Sequence, residues 1–509
     1  MSIVPAHAAV AFSPRPSIDY TEDPSMAATS DRPAWPLARP AYATLAAAVQ
    51  GEGARWNVPG IAAAVFHHGA LTETAAGVTS IATKMPLGPD ALFQIGSISK
   101  VFATTLAMTL VDEGKLDLDA PVIRYIPDLP LADLDARGTI TTRHLLSHAS
   151  GLEGDRFANY GRGDDASARA IANFGKLEQW VQPGELFAYC NTGFYLVGRI
   201  CEVLTGQTFE QALQERVLTP WGLEQTVLFA EDAITRPHAV GQNLLSREDG
   251  FAIARPYWNR RHATAAGGVL STVGDMVRFA RAHLADGELD GARVLSVESA
   301  QAMRTEAIAV GPGDATFGSA YGLGWSLTSQ DGVLRIGHGG ATDGFRAHLT
   351  AVPEKGFVIA LLTNADTGSS AMQEIEAWAL EHYLGVPERT PEPIALSESA
   401  LDAYTGAFNR FNQQTVLTRD GDGLSAAISA FDSETGTPLG TRSMRLVPVV
   451  SAEARVFRVP DGPFQGMVVQ FFDAPTASDP DRLLMRAGGR LSARAGVPER
   501  RRRRERASA

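Results

Sequence analysis

The chain has 509 residues, of which 45% are hydrophobic and 20% are charged, and this is the composition of a globular protein with a large core. Its length exceeds that of one ordinary domain and indicates about two to four domains. The net charge of −12 argues against nucleic acid as a main partner, because phosphate binding needs concentrated positive charge.

Targeting signals are weak at the start of the chain. The first residues lack a basic segment, and the apolar stretch from Ala8 to Phe12 is far shorter than the core of a signal peptide. No segment approaches about 18 consecutive apolar residues, so we expect no membrane-spanning helix. Cys190 and Cys201 fall in or next to one predicted helix, Thr192–Leu204, about 16 Å apart, which is too far for a disulfide. These features predict a cytoplasmic protein; an exported protein is the alternative if this start hides a signal peptide.

Four regions follow one another along the chain. Residues 1–39 are rich in Pro, Ser and Ala without periodicity, which predicts a disordered segment. Residues 40–389 combine helix and strand patterns, and residues 390–490 show short alternating strands. Residues 491–509 contain the consecutive arginines Arg500–Arg504, which predict a basic, solvated, disordered tail.

The region 40–389 begins and ends with strand patterns. Gly60–Ser80 predicts a β-hairpin, and the pattern from Ser97 to about Ala282 is mainly helical. Three strands and a closing helix follow, namely Val333–Ile336, Phe345–Val352, Phe357–Leu362 and Ala371–Leu384. We therefore predict an α+β domain, in which an antiparallel sheet is flanked by helices and carries a mainly helical inserted subdomain.

The region 390–490 predicts a small all-β domain, with a barrel as one arrangement. Its predicted strands are Thr415–Thr418, Leu424–Ile428, Ser443–Val447, Arg455–Val459 and Met467–Phe472.

The most informative segment is Ser97-Ile98-Ser99-Lys100, where a short extended stretch runs into an apolar helix. Residues three apart share a helix face, so the hydroxyl of Ser97 and the amine of Lys100 lie close together. Burial lowers the pKa of a lysine, which favours a free amine that can accept the serine proton. The helix N-terminus offers unpaired N–H groups to an oxyanion. The alternative is a serine N-cap followed by a surface lysine.

Two further segments carry residues that such chemistry needs. Tyr189-Cys190-Asn191 stands at the entrance of an apolar helix, and His338-Gly339-Gly340-Ala341 lies on a predicted strand. Each residue alone has a structural alternative, as a core tyrosine, a helix N-cap or a core histidine. His144 and His148 have the spacing of a metal pair, but no pattern of further ligands accompanies them. We expect neither a metal nor an organic cofactor.

With these motifs the chain resembles the serine β-lactamase and penicillin-binding-protein superfamily, in its class C-like branch. Ile140–Leu152 and Ala265–Thr272 resemble further signature segments, so the resemblance covers about residues 45–385. The branch also contains esterases, D-aminopeptidases, D-Ala-D-Ala carboxypeptidases and amide hydrolases. The resemblance therefore implies that residues 40–389 form a serine hydrolase domain. No G-x-S-x-G occurs in the sequence, and this argues against the alternative of an α/β-hydrolase, which carries its nucleophile in that motif.

The resemblance implies a role for each motif residue. Ser97 is the nucleophile that forms an acyl-enzyme, and Lys100 holds the proton network. Tyr189 is the general base for acylation and the general acid for the leaving group. Asn191 hydrogen-bonds Lys100 and the substrate amide. The oxyanion hole consists of the backbone N–H groups of Ser97 and Ala341.

His338 departs from the common pattern, because many relatives carry a lysine there that helps to bind a substrate carboxylate. An ordinary histidine is mostly neutral at pH 7 and attracts an anion less. Gly340 is smaller than its counterpart in some relatives and permits close approach of substrate. Arg346 and His348 are expected to face outward, and the β-domain to lean over the site and set specificity.

We therefore expect hydrolysis of a small carboxylic ester or amide, with the ester first. The alternatives are a D-amino-acid amidase or peptidase, a D-Ala-D-Ala carboxypeptidase-like enzyme, a weak β-lactamase, and a non-catalytic binding protein on the same scaffold.

Overall fold

The structure is a computed structural model that describes residues 40–246, 248–257, 259–311, 316–387, 391–432, 436–449, 455–460, 465–474 and 482–495. The predicted disordered segment 1–39 and residues 496–509 of the predicted tail lie outside the described residues.

The helices are α1 (Leu45–Arg55), α2 (Ser99–Asp112), α3 (Leu134–Thr139), α4 (Thr142–Leu146), α5 (Ala166–Ile171), α6 (Asn191–Thr205), α7 (Phe209–Leu213), α8 (Ala230–Ala233), α9 (Thr264–Gly267), α10 (Val273–Leu284), α11 (Val297–Met303), α12 (Ser369–Leu384) and α13 (Glu398–Asp402). The strands are β1 (Gly60–His67), β2 (Ala70–Gly77), β3 (Phe93–Gln94), β4 (Gln242–Ser246), β5 (Gly250–Ile253), β6 (Leu270–Ser271), β7 (Glu288–Leu289), β8 (Ala292–Arg293), β9 (Ile308–Ala309), β10 (Ala320–Tyr321), β11 (Ser326–Gln330), β12 (Val333–Thr342), β13 (Phe345–Val352), β14 (Phe357–Thr363), β15 (Gly406–Arg410), β16 (Gln413–Asp420), β17 (Gly423–Phe431), β18 (Pro438–Pro448), β19 (Val456–Arg458), β20 (Val468–Asp473), β21 (Leu483–Ala487) and β22 (Arg490–Arg494).

An antiparallel sheet in the order β2-β1-β14-β13-β12-β11-β10-β9 forms the frame of the first domain. The first hairpin pairs with the last strand, with Ile61 opposite Thr363. One face of β1 and β14 packs on α1 and α12, and the other packs on the helical subdomain. Because both faces are covered, these strands are nearly continuous apolar runs rather than alternating ones. The predicted α+β fold is confirmed.

Helix α2 lies at the centre of the helical subdomain. Every residue from Ser99 to Leu110 is buried, and Lys100 is the one charged side chain among them. The hydroxyl of Thr104 donates to the carbonyl of Lys100 at 2.8 Å, so the helix satisfies its own buried polar groups. Phe102 stacks on Phe279 of α10, with ring centroids 3.8 Å apart. The helix is therefore enclosed by the apolar core of the subdomain.

The region predicted as mainly helical also contains a hairpin that the pattern did not indicate. Strand β4 pairs with β5, and the turn between them ends at Gly250, whose φ of +69° suits glycine. Both strands are only half-buried, so they lack the clean apolar alternation that marks a strand in a sequence.

Strands β15 to β22 close into a barrel, which confirms the all-β C-terminal domain. The aromatic rings of Phe408, Phe457 and Phe471 pack together inside it. The last strand, β22, runs from Arg490 to Arg494 and so continues four residues beyond the predicted domain boundary at residue 490. Arginines at both ends of this strand made it resemble the start of the basic tail. No helix within the described ranges is long and apolar enough to cross a bilayer.

Removing the Phe102 ring should reveal how much the fold depends on α2. Phe102→Ala leaves a cavity beside Phe279, so we expect the free energy of unfolding to fall by about 3–5 kcal/mol. Urea denaturation followed by circular dichroism measures this loss. Leu71→Ala is the control, since Leu71 is 47% exposed on β2 and its truncation should change stability by less than about 0.5 kcal/mol. Equal losses in both variants would contradict the central position of α2.

Candidate active site

Ser97 and Lys100 meet at the start of α2, as predicted. Ser97 lies in a single 3₁₀ turn, Gly96–Ile98, which leads directly into the helix. The Lys100 side chain has no exposed surface, and its Nζ donates to Ser97 Oγ at 3.1 Å and to the carbonyl of Ala266 at 2.6 Å. Burial and the nearby charge of Arg490 hold the pKa of Lys100 well below its usual value. The alternative of a surface lysine is wrong.

Tyr189 reaches the same serine from the entrance of α6. Its ring centroid lies 4.9 Å from Lys100 Nζ, and the Ser97 hydroxyl lies near enough to its phenol to act on the pKa of Tyr189. Burial raises the pKa of Tyr189 above its usual value, although the charge of Arg490 opposes this. The neutral phenol is therefore the resting form, rather than a phenolate.

Asn191 begins α6, but its partner differs from the expected one. Its Nδ2 donates to Asp155 Oδ1 at 2.8 Å, and among the described residues no hydrogen bond joins it to Lys100. The N-cap of α6 is Cys190, whose thiol accepts the N–H of Gly193, and not Asn191. Cys190 and Cys201 are both buried and unpaired, as predicted.

His338 lies on β12 and is 4% exposed. Its Nδ1 is 2.5 Å from the carbonyl oxygen of Gly339, and because a carbonyl only accepts, Nδ1 carries the proton. Nε2 then presents a lone pair, and it has no hydrogen-bond partner among the residues that the structure describes. Burial and the neighbouring Lys100 lower the pKa of His338 to about 3. The ring is neutral at pH 7, in line with the expectation for this position.

Glycines bring β12 against the turn that carries the nucleophile. Gly96 has φ +50°, and a Cβ added there would lie 2.5 Å from the nitrogen of Ala341. A Cβ at Gly340 would lie 2.0 Å from the carbonyl oxygen of Ile95. Gly340 is therefore required by contact between two backbones, and not by substrate approach as the sequence indicated. The same contact places the backbone nitrogen of Ala341 against Gly96, the residue before Ser97, and the predicted oxyanion hole needs a strand in this position.

The barrel contributes to the site through the turn between β21 and β22. The carbonyl of Gly489 accepts the backbone N–H of Tyr189 at 2.8 Å, and the guanidinium carbon of Arg490 lies 4.5 Å from the Tyr189 ring centroid. Sequence reasoning missed both residues. A Gly-Gly-Arg turn is a hairpin signal, but nothing in it indicates which surface the hairpin reaches.

A cavity of about 1360 Å³ opens over these residues. Ser97, Tyr189 and His338 line it on one side of β12, and barrel residues such as Leu439 line it as well. Arg346 and His348 lie on the other face of the sheet from His338, toward α12, and are partly buried there, so the expectation that they are outward-facing surface residues is wrong. His348 is paired there with Glu376 of α12, with His348 Nε2 2.9 Å from a carboxylate oxygen.

Substituting Gly489 should disturb the Tyr189 side of the site. Gly489 has φ +78°, and a Cβ there would lie 2.6 Å from the Phe317 ring and 3.0 Å from the Tyr189 Cβ. We expect Gly489→Ala to slow the modification of Ser97 by a fluorophosphonate at least tenfold, measured as a second-order rate constant.

Gly488→Ala is the matched control, because Gly488 has φ +54° and an added Cβ would meet only the Met467 sulfur, at 3.8 Å. It carries the same left-handed strain, about 1–2 kcal/mol, without the contact with Tyr189. Equal labelling rates for the two variants would contradict a role for the hairpin at the site.

Comparisons with known proteins agree with this geometry. The model of the Beta-lactamase family matches residues 45–383. Penicillin-binding protein 4 of Amycolatopsis lactamdurans is 40% identical over 342 residues, which cover 67% of this chain and 89% of that protein. A D-aminopeptidase of Gluconobacter oxydans is 30% identical over 377 residues, covering 72% of this chain and 67% of that protein. The crystal structure of SurE with D-Leu is 26% identical, with a TM-score of 0.68, and the match covers 89% of this chain and 98% of that one. The chain therefore belongs to the Beta-lactamase family and is a serine hydrolase, so the alternative of a non-catalytic binding protein is rejected.

Proposed function

We propose that the protein cleaves amide bonds of small peptides or amino-acid amides through an acyl-enzyme on Ser97, with preference for a D-configured acyl residue. The observation that carries the proposal is that Ser97 Oγ accepts a hydrogen bond from a buried amine and lies beside a buried phenol, where Ser97 and Tyr189 line a large cavity.

Acylation starts with proton transfer from Ser97. The lowered pKa of Lys100 favours its neutral amine, which lies 3.1 Å from Oγ and takes the proton as Oγ attacks the substrate carbonyl carbon. This differs from the role implied by the resemblance, in which Tyr189 is the base. The N–H groups of Ser97 and Ala341 stabilise the oxyanion.

The neutral phenol of Tyr189 supports amide cleavage. An amine leaving group must be protonated as the C–N bond breaks, and Tyr189 keeps its proton because burial raises its pKa. The Lys100 ammonium then gives its extra proton to the Tyr189 phenolate, whose ring centroid lies 4.9 Å from Nζ, and both groups are neutral again. In deacylation, water attacks the acyl carbon and gives a proton to Lys100. Lys100 returns that proton to Ser97 Oγ as the C–O bond breaks, so Ser97 leaves as the free hydroxyl and the amine is neutral again.

Carboxylic ester hydrolysis is the second candidate. Esters are more reactive, and the same nucleophile and oxyanion hole serve them. The sequence favoured an ester because the site has no lysine at position 338, but Arg490 places a cation beside Tyr189 and removes that reason. The names of two similar proteins, a D-aminopeptidase and SurE in complex with D-Leu, support the D-configuration.

D-leucine p-nitroanilide and its L-isomer test the proposal directly. We expect a kcat/KM at least tenfold higher for the D-isomer, measured from p-nitroaniline release. Ser97→Ala should lose turnover and fluorophosphonate labelling together, since no other group carries the acyl. Ser399→Ala, on the exposed helix α13, is the control and should match the wild type. Labelling of Ser97→Ala at the wild-type level would overturn the proposal.

The pH dependence of kcat/KM should follow the ionisation of Lys100 and not that of His338. For a neutral ester such as p-nitrophenyl acetate, kcat/KM should rise with pH as Lys100 loses its proton, with a midpoint well below 10.5. His338 should add no inflection between about pH 5 and 8, because its pKa is about 3 and it is already neutral there. His338→Gln should leave the midpoint in place. An inflection near pH 6.5 that disappears in this variant would contradict the buried, neutral ring.

A further inference from the structure

Asp155 lies between α4 and α5 and belongs to none of the motifs that identify the site. Its carboxylate is largely buried, with 12% of the side chain exposed. A buried carboxylate needs charged or hydrogen-bonding partners, because its loss of water is otherwise unfavourable.

The two carboxylate oxygens of Asp155 bind two different parts of the protein. Oδ1 accepts from the amide of Asn191, at 2.8 Å, in the hydrolase domain. Oδ2 accepts from Arg410 at 2.9 Å and from Arg490 at 3.1 Å, both in the barrel. One side chain therefore joins a residue of the catalytic motif to two strands of the other domain.

The orientation of both partners follows from this arrangement. Asn191 donates through Nδ2 to Asp155, so its Oδ1 is turned away from the carboxylate and is left for other donors. Arg490 donates through Nε to Asp155 and through Nη1 to the carbonyl of Gly488, at 2.8 Å, which fixes the plane of the guanidinium beside Tyr189. A water-exposed ion pair would fix neither group.

Charge strengthens the arrangement. Burial alone would raise the pKa of Asp155, but the guanidinium groups of Arg490 and Arg410 outweigh it and lower the pKa to about 2. The carboxylate is therefore ionised at pH 7, and it also opposes the effect of Arg490 on the pKa of Lys100.

We propose that Asp155 is a positioning residue that makes the catalytic site depend on the docked barrel, because the same carboxylate orients the Asn191 amide and holds the Arg490 hairpin over Tyr189. The proposal rests on the proposed function, since its consequence is read in the Ser97 reaction.

Asp155→Asn separates this role from that of an ordinary surface pair. We expect kcat/KM to fall about 10²-fold, because reacting groups displaced by about 1 Å lose rates of that size. The acid limb of the pH profile should also move to lower pH, since the variant removes a negative charge that stabilises the Lys100 ammonium. A merely structural ion pair would leave that limb in place.

Asp119→Asn is the matched control. Asp119 also accepts two bonds from an arginine, Arg143, at 2.7 and 2.8 Å, but its side chain is 67% exposed. We expect Asp119→Asn to keep the wild-type kcat/KM and the wild-type position of the acid limb.

In the double variant Asp155→Asn/Arg490→Gln, the fold-loss of kcat/KM should be smaller than the product of the two single losses, because both residues act on one unit.

Asp155→Glu keeps the test decisive if Asp155→Asn does not fold. It preserves the charge but lengthens the side chain, so we expect kcat/KM to fall at least tenfold while the acid limb stays at its wild-type position. A wild-type kcat/KM for folded Asp155→Asn or Asp155→Glu would overturn the proposal. Ser97→Ala distinguishes failure of the proposed function from failure of the positioning role. If Ser97→Ala stays active, the proposed function is wrong. If it is inactive while the Asp155 variants have wild-type kcat/KM, only the positioning role is wrong.

Discussion

The burial of one lysine is the constraint on which the site depends. Lys100 has no exposed surface, and an ammonium in such a place is strongly disfavoured unless it is paired. The structure offers it two oxygens, on Ser97 and Ala266, and no carboxylate in direct contact among the described residues. The neutral amine is therefore favoured, and an amine with a lone pair beside a hydroxyl is a base in position. The apolar packing of α2 has a chemical as well as a structural effect.

The backbone supplies the second requirement, a precise distance between the nucleophile and β12. A strand approaches a helix turn this closely only where side chains are absent on both sides of the contact. Gly96 and Gly340 meet that need, since a Cβ on either would overlap a backbone atom of the other segment. The His-Gly-Gly sequence is thus partly a packing motif. Its histidine faces the cavity, while its second glycine lets the strand reach the nucleophile.

Local patterns predicted what lies within one element, and failed where the fold joins distant ones. Ser97 and Lys100 share one helix turn, so their contact follows from spacing alone. Asp155 and Arg490 are 335 positions apart, and no local rule connects a loop carboxylate with a hairpin arginine. The prediction that His348 faces outward was wrong for another reason. Polar residues that alternate with apolar ones on a strand suggest a solvated face, but α12 covers that face of β13 and pairs Glu376 with the histidine.

Chemistry and charge recognition are divided between the two domains. The three titratable groups nearest to Ser97, on Lys100, Tyr189 and His338, are each driven toward the neutral form by burial. The fixed charge comes instead from the cluster around Asp155, where two guanidinium groups face one carboxylate, so that the sum is one positive charge. The positive charge at the site therefore comes from the barrel arginines and not from the catalytic floor. Because Arg490 lies over the Tyr189 ring and also lowers the pKa of Lys100, a change in the barrel hairpin alters both the charge at the cavity and the catalytic groups themselves.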